Sequence, residues 1–298
     1  MENQKIIKKI NECSISIENS IFTLKPYLFE DIPYALPTNS SPEFRRHIAA
    51  AIISYIDKNL QSDTIENVTN SLDINRYDNK SQLSDVDIVL DTIVKSTAIC
   101  IDYFCKTIKV VELNHGQNFF LLAMSRLKSS FESAVLLLRF GYYIEVSTVF
   151  RMIYEQLCWA CFVIEQSNEK TIINQSVTKT VKYLKKVNEE YGKLYNLYSQ
   201  EAHIDPKVVG SYLKEIDGKT HVRMRSGEEC NNKTLDLILL AKIYIDVLEY
   251  AVDKYFSLKE NNKIELKVII ETNRHIIKII YGRYTEDIGF NLQYEDTI

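Results

Sequence analysis

Between residues 146 and 164 the chain carries only two charges, Arg151 and Glu155. The rest of that stretch is Val, Phe, Met, Ile, Tyr, Leu, Cys, Trp and Ala with few polar interruptions. Four residues apart, the two charges share one face of a helix. A helix that is apolar nearly all round is buried on several sides, so this one belongs inside a helical bundle. An ion pair there is costly to desolvate and rarely persists for stability alone. Two readings stand level: a pair that fixes helix register, or one wall of a polar pocket lined by an oriented Arg and Glu.

The remaining composition fits a bundle. A length of 298 residues allows one large helical domain or two smaller ones. Eight glycines and five prolines argue against a sheet-and-turn architecture, and 46% hydrophobic residues supply a substantial core. A net charge of −4 gives no general affinity for nucleic acid, so any RNA contact has to be local. The basic run Lys179, Lys182, Lys185, Lys186 and Lys193 is interrupted by Glu189 and Glu190 and reads as a solvated face. Arg151, Glu155 and Gln156 near the middle of the apolar stretch argue against a membrane span. Residues 1–10 mix Lys with Ile and have no apolar signal-peptide core. Six cysteines without framework spacing fit a reducing compartment. The expectation is a cytoplasmic protein with no membrane segment.

Helical periodicity dominates the chain. Ile6, Ile10, Ile17 and Ile21 mark a first amphipathic helix, and four prolines between Pro26 and Pro42 mark an extended, packed connector. Ser40, Ser41, Pro42 and Glu43 form a helix start, with the helix running to about residue 60. Residues 62–82 read as a loop or short helix, and the next helix starts at Ser84 and ends near 113. His115-Gly116 reads as a break, followed by helices over about 117–140 and 144–166, joined at Gly141 as a tight αα-hairpin. One helix is predicted from 169 to His203, stopped by Asp205-Pro206. A short helix and an irregular loop fill 207–232 around Gly218, Gly227 and Asn231-Asn232, and helices follow over 233–257 and 262–280. The predicted organisation is an N-terminal helical region with its proline-rich connector (1–82), a helical core (83–281) and a polar, loosely held tail (282–298).

Few residues point to chemistry. Arg139 closes a helix after three leucines and suits the helix dipole as an end-cap cation, while Arg126 reads as solvated. Asn196, Ser199 and His203 are spaced i, i+3, i+7 and share a helix face, with Tyr195 beside them. A histidine in that last turn serves as a general base, a donor to phosphate or a C-terminal cap. Cys158 and Cys161 match C-x-x-C but lie deep in a helix with no preceding strand, so they read as core. A zinc site with Cys100 and Cys105 lacks knuckle spacing. His221, Arg223, Arg225 and Glu228 read as a solvated loop. There is no phosphate loop, no nucleophile elbow, no zincin motif and no acidic metal cluster, so no metal or cofactor is expected.

The arrangement Ala134, Leu138, Gly141, Glu145, Arg151, Glu155, then Tyr195-x-x-Tyr198-Ser199-x-x-x-His203, resembles a bacterial family of helical proteins. Its members carry a G-x3-E-x5-R-x3-E helix and a Y-R-x-L-S-x3-H helix end. That family is similar to HEPN domains (higher eukaryotes and prokaryotes nucleotide-binding). HEPN domains are all-α, usually dimeric, common in toxin–antitoxin and phage-defence systems, and often metal-independent ribonucleases with an R-x4–6-H motif. The resemblance covers about residues 117–205. It implies His203 as the group that activates a ribose hydroxyl, with an arginine on the scissile phosphate. The position of that arginine holds Asn196. Phosphate stabilisation, often the largest catalytic term, then falls to Arg151, Arg139 or a partner chain.

The expected fold is an all-α, HEPN-like helical bundle built on a long αα-hairpin. Two functions are expected from the resemblance. The favoured one is a helical component of a bacterial defence or toxin–antitoxin type system, binding a protein partner, a nucleotide or RNA as a homodimer or hetero-oligomer. The alternative is an active endoribonuclease with His203 as base, Ser199 and Asn196 assisting, and Arg151, Glu155, Arg139 and Tyr195 forming the binding wall.

Overall fold

The computed structural model describes residues 24–29, 32–37, 40–56, 64–73, 85–108, 112–202, 209–216, 218–223 and 225–287. The chain divides into two compact units, Met1–Ser84 and Asp85–Ile298. Among the described residues there are ten α-helices and two small antiparallel ribbons, so the all-α class holds.

In the first unit, β1 (Leu24–Phe29) pairs with β2 (Ile32–Pro37), with Tyr27 opposite Tyr34. Three prolines fit here because both strands of a two-stranded ribbon are edges. Helix α1 (Pro42–Ile56) begins where expected: the Ser41 hydroxyl accepts the Phe44 amide at 3.1 Å. The expected continuation to about residue 60 lies outside the described residues. Helix α2 (Ile65–Ser71) is capped by Thr64. The amphipathic helix expected before residue 22 lies outside the described residues.

In the second unit, α3 (Asp85–Ile108) leads to the hairpin of α4 (His115–Arg139) and α5 (Glu145–Val163). Asn114 and Gln117 form a reciprocal capping box at α4, so the break between the two helices lies before His115, and His115-Gly116 forms the first turn of the second. Gly116 lies against the other arm. A Cβ there would stand 2.1 Å from the Gln166 carbonyl oxygen and 2.3 Å from that of Val163. At the far end, Gly141 takes φ +82° and ends α4 as a Schellman turn, with Tyr142 N–H on the Leu137 carbonyl and Gly141 N–H on that of Leu138.

The single helix predicted over 169–203 is instead broken into pieces. They are α6 (Glu169–Ile173), a 3-10 turn (Val177–Thr180), α7 (Val181–Leu184), a second turn (Glu189–Lys193) and α8 (Leu194–Ala202). Asn168 caps the start of α6, while inside the predicted span Asn174 donates its side-chain amide to the Lys170 carbonyl and Asn188 takes the Glu190 amide, the local competition that interrupts helices. A second ribbon, β3 (Leu213–Ile216) with β4 (Lys219–Val222), replaces the expected irregular loop. The Asp217-Gly218 pair between two short runs is a hairpin signal, and Gly218 has φ +71°.

Helix α9 (Gly227–Tyr255) starts six residues before the predicted 233, because the Ser226 hydroxyl accepts the Glu229 amide. It is the central element, packed against α3, α4, α5 and α10, with Leu237, Leu240, Ile243, Tyr244 and Val247 fully buried. Helix α10 (Glu260–Asp287) runs through Gly282, and Tyr284 and Thr285 are buried, so the loose tail predicted from 282 is helix at least to 287. Among the described residues no helix is long and apolar enough to cross a membrane.

Candidate functional site

Arg151 and Glu155 point from α5 towards α8. The Arg151 Nε donates to Glu155 Oε1 at 2.8 Å, and each side chain is 20% exposed. The pair is therefore half-buried, less enclosed than its apolar neighbours suggest. The Glu155 hydrogen bond raises the guanidinium above its ordinary range, with the Tyr195 hydroxyl adding to it. Beneath the pair an aromatic layer fixes α8 on α5. Tyr154 stacks near Tyr195 and Tyr198, with centroids at 6.3 and 5.6 Å, and Phe150 meets Tyr198 edge-on. The Tyr154 hydroxyl donates to the Tyr191 carbonyl at 2.7 Å.

The structure thus brings Arg151, Glu155 and Tyr195 together. Asn196 is exposed, off the face that Tyr195 and Tyr198 turn to α5, and Ser199 is half-buried at its flank. His203, with Asp205 and Pro206, lies outside the described residues. Arg139 belongs elsewhere. Its side chain is 3% exposed and bridges to α3, with Nη2 2.5 Å from Asp91 and Nε 3.3 Å from Asp87. It lies in the last turn of α4, where the end-cap reading put it, and there it ties α4 to α3. Arg126 is exposed on α4.

The loop after β4 is not simply solvated. Arg225 donates to the Tyr142 hydroxyl at 2.6 Å and lies over that ring, while Arg223 pairs with Glu229 at 2.9 Å. Ser226 N–H and the Tyr143 hydroxyl complete a clasp on the Gly141 turn. His221 is exposed on β4. Cys158 and Cys161 are buried and free, and burial pushes both thiols well up, so neither supplies a thiolate at neutral pH. No group of three metal-ligating side chains occurs among the described residues.

Two charged clusters escaped the sequence reading. In the first, the Tyr191 hydroxyl donates to Asp246 and accepts from Lys242. Arg274 of α10 joins Asp246, Glu249 and Glu271 to it. Burial and then Asp246 push the Tyr191 phenol far up, so it acts as a neutral donor and not as a base. In the second, Lys233 of α9 bridges Glu201 of α8 and Asp236. Lys242 and Asp246 show the same i, i+4 spacing in an apolar helix as Arg151 and Glu155, so the signal was present in the sequence. The lysine-rich segment lines a surface depression of about 440 Å³ with Lys185, Lys186, Glu189, Glu190 and Lys193. Lys186 pairs with Glu165 and Lys193 with Glu190, so its charge is largely neutralised.

Comparison of the chain with protein-family models, with curated proteins and with solved structures finds no match to any of them.

Proposed function

We propose that this chain is a non-catalytic helical binding module, a component of a bacterial defence or toxin–antitoxin type system that engages a protein partner. The defence setting comes from the resemblance of residues 117–205 alone. The observation that carries the binding reading is the state of the candidate cations. Arg139 is engaged by Asp87 and Asp91, Arg151 by Glu155, and the position of the HEPN-type arginine holds an exposed Asn196. A phosphoryl transition state needs charge that is preorganised and available. A protein partner is favoured over RNA by exposed apolar side chains: Ile264, Val268 and Ile279 along α10, and Ile88 and Ile99 on the adjoining α3.

A second reading, the HEPN-like ribonuclease with His203 as base, is favoured by one contact. Tyr195 sets α8 against Arg151, whose side chain is 20% exposed on the helix pair that carries Ser199.

The test is expression of wild type, His203→Ala and Val268→Asp together with the genomic neighbours, reading growth, total RNA and complex formation. The binding module leaves RNA intact, tolerates His203→Ala, and loses its complex in a folded Val268→Asp. RNA cleavage by wild type that His203→Ala abolishes overturns the proposal.

A further inference from the structure

Among the described residues, helix α8 is held at two places. Its first turns are fixed on α5 by Tyr195 and Tyr198, and its last turn is fixed on α9 by one ionic contact. There Lys233 Nζ lies 2.5 Å from Glu201 Oε1 and 3.5 Å from Asp236 Oδ2. The three side chains are 18%, 23% and 14% exposed in that order. One ammonium therefore serves two carboxylates, leaving one excess negative charge in a poorly solvated place. The second oxygen of Glu201, Oε2, is buried without a hydrogen-bond partner. Like charges that share one counter-ion repel, and the pair relaxes by taking up a proton.

We propose that Glu201, Lys233 and Asp236 form a proton-operated latch, which fastens the end of α8 to α9 more tightly in mildly acidic than in neutral solution. Asp236 is the group that takes the proton, being the more enclosed carboxylate and the farther from the ammonium. Burial first, and the Glu201 charge with it, push its carboxyl up to about 6 against the pull of Lys233. Burial draws the Lys233 ammonium down, but Asp236 and Glu201 outweigh it, so the lysine stays charged throughout. Lys233 and Glu201 are the charged groups that act on Asp236. One turn earlier, Glu145 of α5 and Glu229 act on Cys230, and Tyr284 of α10 donates its hydroxyl to the Asn231 carbonyl.

The closed latch binds the proton more tightly than the opened one, in which Asp236 returns to the ordinary carboxylate value of about 3.9. Closing is therefore favoured as pH falls from about 6 towards 4, and that advantage is absent above about 7. Helix α8, with Tyr195 on its α5 side and Asn196 exposed, is thus held more firmly in acid, whichever function it serves.

Hydrogen exchange of the α8 amides, corrected for intrinsic rates, tests the latch in the full chain. Opening is expected to be about tenfold more frequent at about pH 7.5 than at about pH 5, with α4 unchanged. Asp236→Asn abolishes that dependence, and Glu201→Gln, which removes the repelling charge, flattens it even if the first variant folds poorly. A carbon-detected titration of the Asp236 carboxyl gives a midpoint near 6. A midpoint below about 5, or an unchanged pH dependence in either folded variant, overturns the proposal.

Discussion

Gly116 is where packing and intrinsic helix preference make opposite predictions. It sits in the first turn of α4, and an added Cβ would meet two backbone carbonyls of the α5 end at 2.1 and 2.3 Å. Side-chain carbons do not approach backbone oxygen within 3.0 Å, so the arms must part by about 0.9 Å at this end. Overpacking of this kind costs about 1–3 kcal/mol, and rigid backbone places it near the top of that range. Alanine in a helix returns about 1 kcal/mol over glycine. Gly116→Ala is therefore expected to destabilise by about 2 kcal/mol, which lowers the midpoint of thermal unfolding by roughly 4–8 °C for a unit of this size. Circular dichroism melts and urea titrations measure both quantities. Gly282 in α10 is the internal control, since a Cβ there meets nothing within 4 Å. Gly282→Ala should stabilise, by up to about 1 kcal/mol. A Gly116→Ala protein as stable as wild type, beside a stabilised Gly282→Ala, would show that the hairpin arms do not close on Gly116.

Two further substitutions separate structural from functional charge. Arg139→Ala leaves Asp87 and Asp91 without their buried cation and should cost about 3–5 kcal/mol in urea unfolding. A loss below about 1 kcal/mol would place Arg139 at the surface. A double-mutant cycle with Arg151→Met and Glu155→Gln should give a coupling of only about 0.5–1 kcal/mol, because both side chains are one-fifth exposed and partly screened. A coupling above about 3 kcal/mol would mean a dry pair and restore the enclosed pocket.

How much of this was legible depends on the range of the interaction involved. The αα-hairpin was readable because an apolar stretch and a left-handed glycine are local signals, and Gly141 ends α4 as its sequence suggests. The start of α4 was readable too, from Asn114 and Gln117, but the dipeptide His115-Gly116 reads as a break unless the capping box is weighed first. The long helix predicted over 169–203 failed because apolar periodicity continues across positions where Asn174 and Asn188 bind the backbone themselves. Periodicity reports which face is buried, not whether the backbone stays helical between buried positions.

The charged pairs carry the deeper lesson for the candidate site. Arg151–Glu155 and Lys242–Asp246 look alike in sequence: opposite charges four apart in an apolar helix. In the fold they differ because of what arrives from other helices. The first meets one tyrosine, Tyr195, and stays a pair open to solvent on one side. The second receives Tyr191 from one side and Arg274 from α10, and Arg274 brings Glu249 and Glu271 with it. Spacing within a helix fixes only that two charges face one way; the third and fourth partners are set by tertiary contacts across tens of residues. A polar pocket cannot be distinguished from a structural strut by the pair alone. The distinction lies in how far the cation is shielded from solvent. Arg139 is shielded, against two carboxylates. At Arg151 the side chain is one-fifth exposed beside α8, which makes that edge, and the helix whose end the Lys233 contact holds, the place where a ligand or partner of this chain should first be sought.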